Sequence, residues 1–475
     1  MSLDQPGIEL FESIVQQRRD DEETATPVFV GFTQNGQAGR LDFFDTFADF
    51  ADELGGPFAD SGSGAPAPVL YHAVRHYFDN GGSGCFVYSV ANYPALEGLT
   101  GTAFIAMLED DRLRQNVGAE GRIALVCVPD LVLLDALQPD DDAWSRAWQA
   151  ILALCESRRG LFGLLDTPAT ADTAIRCAKR FSGAVSAERR AWVAAYWPRL
   201  VTDYERVDSA AEQAASSQPA PPVLAVADSE RPGERPDARD AGSATVPSVS
   251  VRAADSRGKL VETRASALAW EIVPASAAVA AKIGGADRDN GIWTAPANVP
   301  LRHVVKPASP WSEADGLFSD DGVSINLIRS FPGRGVRIWG CRTLSDGTRM
   351  HDCYLQVRRL VAYIEASLAE TARFVVFEPN NEITWAKLRG LAVTRLRALW
   401  MKGALAGVNE QDAFRVRIGL DESMTAEDVA TGKLIMTIDV ATLVPAEFIQ
   451  ITLQYRTGEA DTRYWSRPTI GRAIS

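Results

Sequence analysis

The sequence predicts an α/β protein of several domains, built around a mostly parallel sheet with flanking helices. Short apolar runs bounded by Gly or Pro, such as PVFVGF at 27–32 and CFVYSVANY at 85–93, are typical of buried strands. Segments with apolar residues at helical spacing separate these runs, and strands that alternate with helices form parallel sheets. The chain has 475 residues, 46% of them hydrophobic, which is enough for two or three compact units.

The first 200 residues follow this alternation. Helices are predicted at 41–56 and 68–82, since both segments repeat apolar residues at helical spacing and end in paired glycines. Gly31 and Gly36 are expected to mark the turn after the first strand. The further predicted elements are strands at 123–128, 161–165 and 191–197, and helices at 143–157, with Asp142 as its N-cap, and at 170–180.

Changes in composition divide the chain into parts. Residues 1–26 are predicted to be an N-terminal arm, and residues 27–310 an outer α/β domain. Within that domain, 207–264 is rich in Ala, Ser, Pro, Arg and Asp without apolar periodicity, which predicts a flexible surface insertion. Residues 311–457 are predicted to form a C-terminal α+β domain, and 458–475 a tail or second arm.

The C-terminal domain carries two clear helix patterns. In the first helix one face holds Val357, Leu360, Val361, Ile364 and Leu368. Asn380 or Asn381 is a suitable cap for a second helix that runs to Met401. The segment 373–381 is predicted to be a strand and turn, and the segments 434–444 and 446–455 alternate like strands with one covered face.

Charge and cysteine usage restrict the class of protein. The net charge of −14 argues against a general nucleic-acid binder, because phosphate contacts need clustered Lys and Arg. No secretory signal is recognised at the start, and the most apolar stretch, 123–137, is interrupted by Pro129 and Asp130. We therefore expect production in the cytoplasm and no direct membrane insertion. The six scattered cysteines are expected to be reduced structural thiols.

Catalytic motifs are absent from the sequence. The glycine-rich segment 80–84 follows a helix and precedes a strand, whereas a phosphate-binding loop does the reverse. His72 and His76 have the spacing of two metal ligands but lack a third, so ordinary surface or boundary histidines are favoured. Asp287, Asp289 and Gly291 resemble a Ca²⁺ loop, but its terminal glutamate is absent, so a turn before a strand is favoured. We accordingly predict no catalytic, cofactor-binding or metal-binding residues. An enzyme whose site is built from loops is the alternative.

The acidic cluster 140–142 is explained by favourable charge at a helix start, but one basic stripe calls for a second explanation. On the helix that ends at Met401, Lys387, Arg395 and Lys402 fall on one side, opposite a predicted apolar face of Trp385, Leu388, Ala392, Leu396 and Leu399. The stripe either solvates an exposed surface or binds an acidic partner, and the acidic character of the whole chain favours a partner.

Several segments together resemble the tail sheath family of contractile phages and related injection systems. They are PGIE at 6–9, FVGFT at 29–33, AVR at 73–75, FDNGG at 78–82, GIWTAPAN at 291–298, FPGRGVRIWGCRT at 331–343, VRRL at 357–360, FEPN at 377–380, LW at 399–400, GALAG at 403–407 and PAEF at 445–448. The resemblance is densest in the C-terminal part and covers the chain in order. The insertion after residue 207 and the tail after residue 455 depart from the shorter members of the family.

The resemblance implies a structural subunit that stacks in hexameric rings around an inner tube and contracts. Its partners would be further copies of itself, the inner tube protein, baseplate and cap proteins and other sheath paralogues. The C-terminal domain would be the inner one that faces the tube, with Lys387, Arg395 and Lys402 in contact with the tube or a neighbour. Terminal strands would be donated to neighbouring subunits by strand addition. The implied arm residues are Ile8, Leu10, the pair Ser13 and Ile14, Phe448, Ile449, Ile451, Leu453, Trp465 and Ile470. Whether the donated C-terminal strand is 448–455 or the later tail is open.

Within this family two roles remain possible for the chain, the main sheath and a specialised paralogue at the baseplate or cap end. The insertion motivates the second. The implied location is an assembled phage tail or an extracellular contractile particle made in the bacterial cytoplasm. The sequence does not distinguish a phage from a bacteriocin or a toxin injector.

Overall fold

The computed structural model describes residues 24–59, 67–205, 252–254, 260–262, 270–318, 323–347, 350–372 and 378–444. The strands are β1 (Pro27–Thr33), β2 (Leu41–Phe44), β3 (Cys85–Asn92), β4 (Leu125–Cys127), β5 (Phe162–Asp166), β6 (Val193–Trp197), β7 (Leu200–Glu205), β8 (Arg252–Ala254), β9 (Leu260–Glu262), β10 (Trp270–Val273), β11 (Val304–Pro307), β12 (Asn326–Phe331), β13 (Gly335–Trp339), β14 (Phe414–Arg417) and β15 (Thr437–Val440).

The α-helices cover the faces of these strands or connect them. They are α1 (Phe47–Leu54), α2 (Leu70–Asp79), α3 (Gly101–Leu108), α4 (Asp111–Ala119), α5 (Leu134–Leu137), α6 (Asp141–Cys155), α7 (Ala171–Ala184), α8 (Ala187–Arg190), α9 (Ser276–Asn290), α10 (Met350–Cys353), α11 (Leu355–Ala372), α12 (Glu382–Met401), α13 (Glu410–Ala413) and α14 (Ala426–Ala430).

An eight-stranded sheet in the order β13-β12-β6-β5-β4-β1-β3-β2 organises the structure. The six inner strands pair in parallel, while β2 and β13 pair antiparallel at the two edges. The predicted mostly parallel α/β sheet is therefore confirmed.

Both faces of this sheet are buried. In β1, Val28, Val30 and Phe32 belong to one apolar core and Phe29 to the other, because successive side chains of a strand point to opposite faces. Helices α3 to α7 supply most of the first core, whereas α1, α2 and α9 supply the second. This two-sided burial explains why the strands are nearly continuous apolar runs in the sequence.

Several predicted boundaries need correction. Residues 41–44 form edge strand β2 instead of the first turn of a helix, and α1 starts later with Thr46 as its N-cap. Asp140, rather than Asp142, caps α6, and its side chain accepts the N–H of Ala143 at 2.6 Å. Gly31 lies inside β1 instead of the following turn. The sequence patterns also missed α3 and α4.

A small antiparallel sheet, in the order β10-β7-β11, lies beside the large one. The predicted insertion at 207–264 starts after β7 and ends before β10. Of its residues the structure describes only β8 and β9, which pair as an antiparallel ribbon.

The C-terminal unit packs α11 and α12 against the two-stranded ribbon of β14 and β15. The large sheet, however, continues through β12 and β13, beyond the boundary expected at residue 310. We therefore propose that the C-terminal unit starts after residue 340. In α12, Leu388, Ala392, Leu396 and Leu399 are buried as predicted, whereas Trp385 of the same predicted face is only partly buried. Of the two predicted caps, Asn381 is the N-cap.

Candidate functional site

The carboxyl ends of the parallel strands are where open α/β sheets usually place ligands. Here a buried aspartate after β4 is used to hold the fold. Oδ1 of Asp130 accepts the backbone N–H groups of Val69 and Leu70 at 2.7 and 2.9 Å, and Oδ2 accepts that of Phe32 at 2.7 Å. The carboxylate thus caps α2 from a distant part of the chain. Burial raises its pKa to about 6, against the effect of the three donors.

The next strand ends in a second buried aspartate with the same role. Asp166 is the last residue of β5, and its two oxygens accept the backbone N–H and the hydroxyl of Ser276 at 3.0 and 2.5 Å. Ser276 starts α9, whose N-cap residue provides no side-chain hydrogen bond of its own. Both carboxylates at this edge therefore satisfy helix N-termini. The sequence patterns missed both residues, since their partners lie 60 to 110 positions away.

Three of the four histidines in the chain contact one tyrosine. The rings of His72, His76 and His303 lie 6.0–6.2 Å from that of Tyr204. Nε2 of His76 donates to the carbonyl of Arg302 at 3.0 Å, since a carbonyl only accepts. Burial lowers the pKa of both His72 and His76 to about 4.

His72 and His76 are thus buried, contrary to the expected surface or boundary position. Within the described residues, no group of three or more His, Cys, Asp or Glu is arranged to hold a metal ion. The two histidines pack in the core between α2 and the small sheet.

An ion pair fixes the point where the chain enters β1. Nη2 of Arg359 in α11 lies 2.5 Å from Oδ2 of Asp287 in α9, and both side chains are only 5% exposed. The same guanidinium donates to the carbonyl of Thr24 at 2.8 Å, and the Thr24 hydroxyl donates to Asp287 at 2.6 Å. We call these three residues the entry clamp. Asp287 lies in helix α9 and binds an arginine, so the favoured turn before a strand is wrong, and the carboxylate is not part of a Ca²⁺ loop.

The three residues of the basic stripe on α12 differ in their exposure to solvent. Lys387 and Lys402 are exposed. Arg395 is partly buried instead, where its Nη2 donates to the hydroxyl of Tyr363 in α11 at 2.7 Å and its guanidinium lies 5.6 Å from the ring. The two lysines are available to a partner, whereas Arg395 links two helices of the same subunit.

Large apolar side chains are exposed on the same unit. Ile383 and Met401 of α12 are 67% and 76% exposed, and Val408 in the following loop is 90% exposed. Ile383 and Met401 lie near opposite ends of α12, so these side chains are separate exposed apolar positions and not one contiguous patch. Within the described residues, β14 and β15 form a sheet of only two strands, and such a ribbon is marginal alone.

The proposed arm residues cannot be placed. Ile8, Leu10, Ser13, Ile14, Phe448, Ile449, Ile451, Leu453, Trp465 and Ile470 lie outside the described residues, as do the strand predicted at 373–377 and the segment 446–455. All six cysteines are buried free thiols, as predicted. Among the described residues, no helix is long and apolar enough to span a membrane.

Comparisons with known proteins give one consistent result. Residues 353–456 match the family model of the phage tail sheath C-terminal domain. The chain is similar to a chain of the anti-feeding prophage (AFP) baseplate in the contracted state, with 30% identity, a TM-score of 0.71, and 95% of this chain and 99% of that chain covered. Comparison with curated protein sequences gives no match.

Two contracted sheaths are also similar. The AFP helical sheath in the contracted state gives 25% identity, a TM-score of 0.62 and coverage of 91% of this chain and 94% of that chain. The PVC sheath complex of an extracellular contractile injection system, also contracted, gives 25% identity, a TM-score of 0.60 and coverage of 92% of each chain. These matches identify a structural component of contractile, phage-tail-like particles. The chain belongs to the contractile tail sheath family.

Proposed function

We propose that this chain is a subunit of a contractile sheath that stacks in hexameric rings around an inner tube and shortens to drive the tube through a target envelope. The observation that carries the proposal is the end-to-end similarity to chains of contracted particles, which extends over both units. Contraction would release energy stored at assembly between two lattice states, and no nucleotide would be consumed.

The surface of the C-terminal unit supports assembly. The exposed apolar side chains of α12 and the ribbon of β14 and β15 would contact neighbouring subunits or the tube protein. A strand donated from a neighbour would extend the ribbon and satisfy its open edge. Further partners would be baseplate and cap proteins, in a particle assembled in the bacterial cytoplasm and active outside the cell. The proposal includes no catalytic role, cofactor, nucleic acid or membrane insertion.

Electron microscopy of the purified chain tests this function. We expect tubes of stacked rings, formed by the chain alone or with its tube protein. Deleting residues 1–20 should leave a folded, soluble subunit that forms no tubes, because the donated N-terminal strand is missing. Circular dichroism controls for the fold. A full-length chain that stays monomeric with its tube protein, or a truncated chain that assembles with normal order, would contradict the proposal.

A second candidate role is a specialised sheath layer at the baseplate. The match to a chain from a baseplate structure favours this role, because its TM-score and identity are higher than those of the matches to the two contracted sheaths. Gold-labelled antibodies on intact particles distinguish the roles. Label along the whole tail indicates the main sheath, while label confined to one end indicates the specialised layer.

A further inference from the structure

A cleft of about 550 Å³ opens at the start of the parallel strands, beside the entry clamp. The loops that precede β4 and β5 form one wall, and α11 forms the other. Four arginines line the cleft, namely Arg122, Arg158, Arg159 and Arg359. We call it the arginine cleft. Glu120, its one acidic lining residue within the described chain, is engaged by Arg122 through two hydrogen bonds of 3.0 and 3.1 Å.

Two of these arginines form no salt bridge with a carboxylate of the described residues. Arg158 is half-buried and donates to the carbonyl of Ile123, while Arg159 is exposed, and no carboxylate of the described chain pairs with either. Burial lowers the pKa of Arg158. The charge of Glu120 offsets only part of this effect, and Glu120 is already engaged by Arg122. A partly buried cation that is incompletely compensated is unfavourable, so the cleft is suited to a further negatively charged occupant.

An acidic segment directly precedes a residue of the cleft in the sequence. Thr24 lines the cleft, and the entry clamp holds it there. The four residues that precede it, at 20–23, are Asp, Asp, Glu and Glu. A chain spans at most ~3.5 Å per residue, so all four lie within ~14 Å of Thr24 and can reach the cleft.

We propose that the acidic run 20–23 docks in the arginine cleft of its own subunit, with its carboxylates on Arg158 and Arg159. This docking would fix the direction in which residues 1–19 leave the subunit. It is independent of sheath assembly, since every group involved belongs to one chain. The rest of the arm would then start from a defined point on the surface.

Hydrogen exchange measured by mass spectrometry on the full-length subunit tests the docking. We expect the amides of residues 20–23 to exchange about tenfold more slowly than an unstructured chain. Raising NaCl from ~0.05 M to ~0.5 M should remove most of this protection, because partly exposed ion pairs are screened. The double variant Arg158→Glu/Arg159→Glu should abolish the protection while leaving that of β1 unchanged.

Two further variants control the experiment. Arg146→Glu/Lys179→Glu makes the same change of charge at exposed positions outside the cleft and should leave residues 20–23 protected. A variant with Lys at all four positions 20–23 should lose the protection. Combining it with Arg158→Glu/Arg159→Glu should restore the protection, because the charges are then complementary again. The Lys variant also provides the test if the arginine variant fails to fold.

Three outcomes would overturn the proposal. The first is exchange of residues 20–23 at the unstructured rate in the unchanged chain. The second is protection that survives the arginine reversal in a folded protein. The third is protection that grows with protein concentration in a range where sedimentation shows no tubes, which would show that the run docks in the cleft of a second copy.

Discussion

Oδ2 of Asp130 accepts the backbone N–H of Phe32 at 2.7 Å, across 98 positions of sequence. Gly31, the residue before Phe32, makes this contact possible, because a Cβ at that position would lie 2.4 Å from the same oxygen. The carboxylate therefore joins the end of β1 to the start of α2. A charged group at the strand ends stabilises the scaffold here, and its acceptor positions are occupied by backbone donors.

The variant Asp130→Asn should lower the free energy of unfolding by about 2–4 kcal/mol, because an amide presents a donor to at least one buried N–H group. Urea titration at pH 8 measures the effect, since the pKa of about 6 leaves the carboxyl ionised there. Asp110→Asn is the matched control. Asp110 caps α4 at an exposed position, where Asn caps about as well as Asp. Equal effects of the two substitutions would contradict this role for Asp130.

Sequence patterns predicted the features that depend on residues close together in the chain, such as helix faces and N-caps. The apolar spacing of α12 and its cap Asn381 were correct, since a helix face and its N-cap are encoded within a few positions. Helices α3 and α4 were missed. They are short, and the first is apolar on nearly every side, so periodicity does not reveal it.

Contacts between segments that are distant in the chain could not be predicted from sequence patterns. Asp287 was interpreted as part of a turn, because its partner Arg359 is 72 positions away and left no local pattern. Arg395 was grouped with Lys387 and Lys402 as a partner contact from its helical angle alone, but Tyr363 on the adjacent helix accepts a hydrogen bond from it. Only tertiary packing decides which side of a helix a neighbour occupies.

The entry clamp should show strong coupling in a double-mutant cycle. Asp287→Ala or Arg359→Ala should each cost about 3–5 kcal/mol of unfolding free energy, because each leaves the other charge buried and unpaired. The double variant should cost clearly less than the sum. Urea unfolding of the four proteins measures the coupling. Additive effects would show that the two charges do not act as a pair.

His72 should make the protein sensitive to acid. Its pKa is about 4 in the folded chain and near 6.5 when unfolded, so the unfolded state binds more protons between these values. Unfolding free energy should therefore fall as the pH drops from 6.5 to 4, by at most about 3 kcal/mol from this residue. The raised pKa values of Asp130 and Asp166 act in the opposite direction. The effect of His72 is therefore measured as the difference in unfolding free energy between the wild type and a variant of His72.

The variant His72→Phe isolates this effect, since it keeps an aromatic ring beside Tyr204 but cannot titrate. Urea titrations of both proteins between pH 8 and pH 4 measure it. The difference between wild type and variant should be constant above pH 7 and shift in favour of the variant below pH 6.5. A difference that stays constant over the whole range would contradict a buried neutral histidine.

The exposed Lys387 of α12 and Lys402, the C-cap of that helix, should contribute mainly to partner binding. Lys387→Glu/Lys402→Glu should leave the circular dichroism unchanged and lower the unfolding free energy by at most about 1 kcal/mol, because a negative charge is unfavourable at a helix C-terminus. It should weaken co-sedimentation with the inner tube protein, most clearly at low salt. Arg395→Glu should instead destabilise the subunit by about 1–2 kcal/mol, because it removes the hydrogen bond and ring contact with Tyr363. Lys179→Glu/Lys306→Glu, two exposed lysines outside the C-terminal unit, is the matched control for net charge. If both lysine pairs weaken binding equally, net charge rather than the position on α12 is responsible.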